Sequence, residues 1–75
     1  MSPNMQHAVA EAVTLVNQHA GRTCVRLWFA GDLDEIDFVA NSAKLQEGAF
    51  EFNAGFETYR GQVDELSKID AQLIQ

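Results

Sequence analysis

The sequence predicts a small α+β domain with the order helix-strand-strand-strand-helix, in which a three-stranded antiparallel meander carries both helices on one face. Apolar residues recur at steps of three and four near both ends of the chain, whereas between the ends they alternate with polar residues. The composition, 75 residues of which 47% are hydrophobic and 21% charged, is typical of one globular unit. We therefore assign residues 1–75 to a single domain.

The first helix is predicted from the stretch SPNMQHAVAEAVTLVNQHAG. Ser2 is a good cap, Pro3 suits the first helical position because its missing N–H costs nothing there, and Gly21 ends the helix. One stripe of apolar residues is expected to face the core. Its members are Met5, Val9, Ala12, Val13, Val16 and Ala20.

Two strands are predicted next, in the stretches RTCVRLWFA and EIDFVAN. Alternation places Val25, Leu27 and Phe29 on one face of the first strand and Ile36, Phe38 and Ala40 on one face of the second. With a loop over residues 31–34, the expected antiparallel pairs are Phe29 with Ile36, Leu27 with Phe38, and Val25 with Ala40. A two-residue turn at 31–32 is disfavoured because it would bury the Asp34 carboxylate without a partner.

The acidic stretch between these strands is interpreted as a solvated hairpin loop. Asp32, Asp34 and Asp37 superficially resemble a calcium-binding loop, in which carboxylates alternate along the chain. That pattern requires Gly at the sixth position and Glu at the twelfth, where this chain has Asp37 and Ala43. We therefore predict neither a metal site nor a cofactor.

A turn at residues 46–48 and a third strand in AFEFNAGFET are expected after the hairpin. Phe50, Phe52, Ala54 and Phe56 share one side of that strand, and Gly55 is a place where it could bend or end early. The last stretch, GQVDELSKIDAQLIQ, has Val63, Leu66, Ile69 and Leu73 at helical spacing and two acids at its start. These features predict the second helix.

The two helices are expected to cover the apolar face of the meander and to leave its reverse face open. That face would carry Arg26, Trp28, Asp37, Asn41, Glu51 and Asn53, with Cys24 and Val39 among them. An exposed Trp beside an Arg is typical of interface hot spots. Trp28 has two alternative roles, as part of a partner or dimer surface or as internal packing against a helix. The candidate partner-binding residues are Arg26, Trp28, Asp32, Asp34, Glu35 and Asp37.

The charge balance restricts the partners. Five basic and eleven acidic residues give a formal net charge of −6, which disfavours direct binding to nucleic acid or an anionic membrane and favours a basic protein partner. The single Cys24 and the lack of a basic, apolar leader predict the reducing cytoplasm. Because so short a chain has a small core and cannot close an internal disulfide, a homodimer or another partner is the expected source of extra stability.

The leading functional hypothesis is a non-catalytic protein-binding module, an inhibitor or adaptor that occludes another protein. In size and charge alone it resembles small inhibitors encoded by phages and mobile elements. One alternative is a nucleic-acid mimic that binds a DNA-handling protein through an acidic face. The other is a small enzyme or metal protein that uses the acidic loop, or Cys24 activated by His7 or His19. Since the chain has no catalytic motif, we predict no enzyme and no catalytic residue.

Overall fold

In a computed structural model, which describes residues 3–74, the chain forms one α-helix and six strands in two three-stranded antiparallel sheets. The elements are α1 (Pro3–Gln18), β1 (Thr23–Phe29), β2 (Ile36–Ala40), β3 (Ser42–Gln46), β4 (Ala49–Ala54), β5 (Glu57–Gln62), a short 3₁₀ helix (Val63–Glu65) and β6 (Leu66–Leu73). Sheet A has the order β2-β1-β6 and sheet B the order β3-β4-β5. The predicted order of three strands between two helices is therefore wrong, because the chain is mostly β.

Helix α1 buries most of the apolar stripe that the sequence predicts, but Ala20 lies beyond the end of the helix and is exposed. Val9 and Val16 are fully buried and Ala12 is nearly so. The helix ends at Gln18, and Gly21 follows it with a φ of 75°, a left-handed conformation that favours glycine. The predicted cap, Ser2, lies outside the described residues.

One side chain of α1 also closes an edge of sheet B. The Asn17 amide donates a hydrogen bond to the Ala43 carbonyl at 2.9 Å and accepts one from the Ala43 N–H at 3.0 Å. Both backbone groups of an edge-strand residue are thereby satisfied, which prevents that residue from pairing with another chain.

Strand β1 lies at the centre of sheet A, between β2 and β6. Its observed pairs with β2 are Leu27 with Ile36, Val25 with Phe38 and Thr23 with Ala40. The predicted pairs are wrong by two residues, a shift that keeps the same side chains on each face. The loop spans residues 30–35 instead of 31–34, and Phe29 pairs with Leu66 of β6.

The predicted C-terminal helix is wrong, because Leu66–Leu73 forms β6 on the free side of β1. The helical spacing arises from two different elements, since Val63 belongs to the 3₁₀ helix and a bulge at Ser67 interrupts the start of β6. The Ser67 hydroxyl donates a hydrogen bond to the Trp28 carbonyl at 3.1 Å. With β6 in place, β1 has a hydrogen-bonded neighbour on each side.

Sheet B begins where Asn41 carries the chain out of sheet A, and its N–H donates a hydrogen bond to the Asn53 carbonyl at 2.7 Å. Strand β3 is therefore separate from β2. The predicted turn at 46–48 is confirmed: Glu47 and Gly48 have φ values of 53° and 79°, which is typical of a type I′ hairpin.

Strand β4 ends at Gly55, as the sequence allowed. Gly55 has a φ of 76° and forms a two-residue turn with Phe56, after which β5, which was not predicted, returns beside β4. The assignment of Phe56 to the core is wrong, because its side chain stands at the tip of this hairpin and is fully exposed.

The interior lies between the two sheets. As predicted, Leu27, Phe38 and Phe52 meet there, and they are 0%, 8% and 0% exposed. The Phe38 ring stacks on Tyr59 with 4.2 Å between centroids, and its centroid lies 5.8 Å from that of Phe52. Helix α1 packs along β3 and β6 and closes one side of the sandwich.

No helix within residues 3–74 has both the length and the apolar character to cross a membrane.

Gly61 provides a test of the packing in sheet B. It lies opposite Phe50, and a Cβ at this position would come within 2.9 Å of Phe50 Cζ and 3.1 Å of Glu65 Oε1. Because Phe50 is buried, we expect Gly61→Ala to lower the free energy of unfolding by about 1–3 kcal/mol, measured by urea denaturation. In a Phe50→Leu background the same substitution should cost about 1 kcal/mol less, since the contacting ring atoms are gone. Equal costs in the two backgrounds would contradict this packing.

Candidate binding surface

The side chains of sheet A that point away from the interior form a continuous surface, which we call the outer face. Its residues are Cys24, Arg26 and Trp28 of β1, Asp37 and Val39 of β2, and Lys68, Asp70 and Gln72 of β6. None of them is fully buried. The predicted open face therefore exists, but its third strand is β6, and Glu51 and Asn53 lie on sheet B instead.

Trp28 lies on the outer face and is not part of the buried core. Its ring is half-buried, with Lys68 Nζ 4.7 Å from the ring centroid. A cation above an aromatic face is attracted by the electrons of the ring. Lys68 therefore shields part of the indole, and it has to move aside before a partner can contact the whole ring.

Arg26 lies beside Trp28 on the outer face, with Asp37 and Asp70 as its cross-strand neighbours. Arg26 Nε is 3.6 Å from Asp37 Oδ1, and both side chains are about half exposed. Exposed pairs of this kind add little to stability. The guanidinium therefore remains available to a partner at small cost.

A second surface lies at the end of the molecule where β1 leads into β2. The 30–35 loop, the Glu47–Gly48 turn and the 3₁₀ helix are joined there by backbone hydrogen bonds. The Ala30 N–H donates to the Glu65 carbonyl, and the Val63 N–H donates to the Gly48 carbonyl, both at 2.8 Å. These segments carry six exposed acidic residues, and we call this surface the acidic end: Asp32, Asp34, Glu35, Glu47, Asp64 and Glu65.

The net charge of the chain is concentrated at the acidic end. The other five acidic residues are balanced in number by the five Lys and Arg residues, so the six acids of this end account for the net charge of −6. Glu51 on sheet B, by contrast, has Arg60 at 3.1 Å and Lys44 at 4.0 Å. Within residues 3–74, no acid of the acidic end forms an ion pair. Repulsion among these charges opposes folding. Glu65 Oε1 accepts a hydrogen bond from the Gln62 N–H at 2.7 Å and so has a structural role, but stability does not explain the position of the loop carboxylates of Asp32, Asp34 and Glu35.

Leu33 is a fully exposed apolar residue within the acidic end. Its side chain is 98% exposed, between Asp32 and Asp34 in the sequence. The loop is anchored beside it, where the Asp32 N–H donates a hydrogen bond to the Phe29 carbonyl at 3.1 Å. Leu33 therefore contributes nothing to the core, and it is presented to the solvent amid negative charge.

The structure brings the six predicted site residues to two adjoining places. Arg26, Trp28 and Asp37 share the outer face, and the other three lie in the loop that joins β1 to β2. Sequence reasoning missed seven residues of these surfaces: Leu33, Glu47, Asp64, Glu65, Lys68, Asp70 and Gln72. All but Leu33 were not foreseen because their positions depend on the pairing of β6 with β1 and on the backbone hydrogen bonds of the 3₁₀ helix. Leu33 was visible as an apolar residue within an acidic loop, and that signal could have identified it.

The alternative sites have the following geometry. Within the part of the chain that the structure describes, no three His, Cys, Asp or Glu side chains are grouped so as to hold a metal ion. Cys24 is half-buried on the outer face. On the exposed side of α1, His7 Nε2 lies 3.8 Å from Glu11 Oε2. Partial burial, with the Glu57 carboxylate nearby, raises the pKa of the Tyr59 phenol above its ordinary value. That the chain is not an enzyme stays a prediction.

Comparison of the chain with protein-family models, with curated proteins and with solved structures finds no match.

Neutralising the three loop carboxylates tests the inference that they do not support the fold. We expect Asp32→Asn/Asp34→Asn/Glu35→Gln to leave the free energy of unfolding unchanged or to raise it by up to about 1 kcal/mol at low salt, because repulsion falls. Urea denaturation at ~20 mM and ~500 mM NaCl measures this, and any gain should vanish at the higher salt concentration.

The control for this experiment is Glu51→Gln, which removes the acidic neighbour of Arg60 and Lys44. It should lower stability slightly, by about 0.5 kcal/mol. A loss of more than about 2 kcal/mol in the triple variant would mean that the loop carboxylates support the fold.

Proposed function

We propose that the protein is a non-catalytic binding module, an inhibitor or adaptor that occludes a partner protein. The binding site is the acidic end together with the adjoining part of the outer face around Trp28. The partner surface is basic and contains an apolar pocket. The observation that carries this proposal is the fully exposed Leu33 within a loop of unpaired acids.

Leu33 and the acids support the proposal in different ways. An exposed leucine gains free energy only when another surface covers it, about 1.5–3 kcal/mol for complete burial. The carboxylates accelerate the encounter with a basic surface and exclude acidic competitors. Together they combine an apolar anchor with electrostatic steering.

Trp28 and Arg26 extend this site along β1, since Trp28 is separated from the 30–35 loop by Phe29 alone. Both residue types are frequent where binding energy is concentrated, because they offer large contact areas. A partner that displaces Lys68 from the Trp28 ring would contact the acidic end and the outer face at the same time.

A nucleic-acid mimic is the second candidate, and the clustering of six acids at one end favours it. Such a mimic imitates phosphates, so its affinity for a DNA-handling protein should fall steeply with salt. The affinity of an interface anchored by Leu33 and Trp28 should fall much less steeply, because apolar contacts are not screened by salt. A salt titration of partner binding distinguishes the two candidates.

The proposal is tested by affinity capture from a lysate of the source organism, with the captured protein identified by mass spectrometry and its affinity then measured with purified components. We expect Leu33→Ser to weaken binding about 10-fold or more, because a buried anchor is lost. The matched control is Phe56→Ser, which changes an equally exposed apolar residue at the opposite end of the molecule. It should leave the affinity unchanged.

The charge contribution is tested with a second matched pair of variants. Asp32→Asn/Asp34→Asn should lower the association rate, whereas Glu11→Gln/Glu57→Gln, with the same change in net charge but outside the acidic end, should not. If both pairs act alike, only overall charge matters and the proposed site is wrong. Retained binding by Leu33→Ser would equally contradict it.

A further inference from the structure

The outer edge of β5 is a sheet edge that the rest of the fold does not cover. β5 pairs with β4 on one side only. Helix α1 packs along β3 and β6, the edges at the other side of the sandwich. Within residues 3–74, no backbone group bonds to the free side of β5. Unpaired N–H and C=O groups along a strand are a template for another strand.

The hairpin geometry identifies the backbone groups that point outwards. A two-residue turn joins β4 to β5, so Ala54 and Glu57 exchange backbone hydrogen bonds. The backbone N–H and C=O groups of Glu57, Tyr59 and Gly61 therefore point towards β4. The N–H and C=O groups of Thr58 and Arg60 therefore point to the free edge. The next outward N–H, that of Gln62, donates instead to Glu65 Oε1 at 2.7 Å. The open stretch is thus centred on Tyr59.

We propose that this edge binds the same edge of a second copy, in antiparallel register centred on Tyr59, to form a homodimer with one continuous sheet. In this register Thr58 of each copy pairs with Arg60 of the second copy. The outward N–H and C=O groups of both residues are then satisfied on both chains. The inference does not rest on the acidic end or on the function proposed above.

Neighbouring registers fit less well. A shift of the second strand by one residue would turn its interior side chains to the solvent. Pairing centred on Arg60 places two guanidinium groups directly opposite one another, and like charges in that position are destabilising. Pairing centred on Thr58 leaves the backbone groups of Arg60 opposite the turn at Phe56.

The charge distribution also favours a second copy at β5. The strand carries Glu57 and Arg60, so it has no net charge of its own. It leads from the Gly55–Phe56 turn to the 3₁₀ helix of the acidic end. An antiparallel copy therefore puts the two acidic ends at opposite ends of the dimer, where their repulsion is weakest. The other open edge, β2, carries Asp37 and adjoins the acidic loop.

The proposed register gives two aromatic residues a partner, the half-buried Tyr59 and the exposed Phe56. Tyr59, which stacks on Phe38 at 4.2 Å, meets Tyr59 of the second copy across the new strand pair, so the aromatic stack continues between chains. Phe56, fully exposed in the single chain, lies opposite Gln62 of the second copy and covers part of its strand.

Sedimentation equilibrium of the full chain, from about 5 µM to about 1 mM, tests the dimer. Thr58→Pro removes an outward N–H at an edge position where proline is tolerated, and it should weaken dimerisation about 10-fold or more. Thr58→Val is the control: it loses the hydroxyl bond to Asn53 but keeps the N–H, and it should dimerise within about 3-fold of the parent chain. Circular dichroism verifies that each variant folds.

Disulfide cross-linking tests the register and does not depend on the proline variant. In a Cys24→Ser background with oxidised glutathione, Tyr59→Cys should form a dimer linked through position 59, because directly opposed residues without mutual hydrogen bonds lie about 4.5 Å apart at Cα. Glu57→Cys should not form a disulfide, because position 57 lies opposite Gly61 of the second copy and not opposite the second introduced cysteine.

Three results would overturn the proposal. The first is a chain that remains monomeric at about 1 mM, and the second is a dimer that Thr58→Pro leaves unchanged. The third is a cross-link that forms as readily from Glu57→Cys as from Tyr59→Cys. A monomeric chain whose captured partner is lost in Thr58→Pro would assign the edge to a strand of that partner instead.

Discussion

Contact between the aromatic side chains of the two sheets is the interaction on which the rest of the structure depends. Neither three-stranded sheet can hide its apolar face alone, so Phe38 of sheet A packs against Phe52 and Tyr59 of sheet B. Burial of a side chain of this size contributes about 2–3 kcal/mol. Loss of a few such contacts is therefore comparable in size with the whole net stability of about 5–10 kcal/mol that is typical of so small a domain.

This interior determines which surfaces remain for function. Helix α1 closes the side of the sandwich that runs along β3 and β6, and Asn17 satisfies the backbone of Ala43. The outer face of sheet A and the outer edge of β5 then have no role in the core. The 3₁₀ helix, bonded to both neighbouring hairpins, draws acids distant in sequence to one end. The same few hydrogen bonds thus support the fold and hold the acidic end together.

Sequence reasoning found the elements whose apolar residues repeat strongly, namely α1, β1, β2 and β4, and it placed Leu27, Phe38 and Phe52 in one interior. It missed β5, where Tyr59 is the one large apolar residue, so no alternation was visible. It predicted a helix in place of β6 because Val63, Leu66 and Ile69 are three residues apart. In the structure Val63 belongs to the 3₁₀ helix, and a bulge separates Leu66 from the rest of β6. The acidic loop was recognisable locally, whereas the acidic end required tertiary contacts that a linear pattern does not contain.

The central claim is that the two sheets form one cooperative unit through their shared aromatic interior. Native-state hydrogen exchange of the Phe52→Leu variant tests it most directly, because Phe52 belongs to sheet B and is in contact with sheet A. The account predicts that the opening free energies of amides in β1 and β4 fall together, by about 1 kcal/mol each. A fall confined to β4, with β1 unchanged, would contradict it.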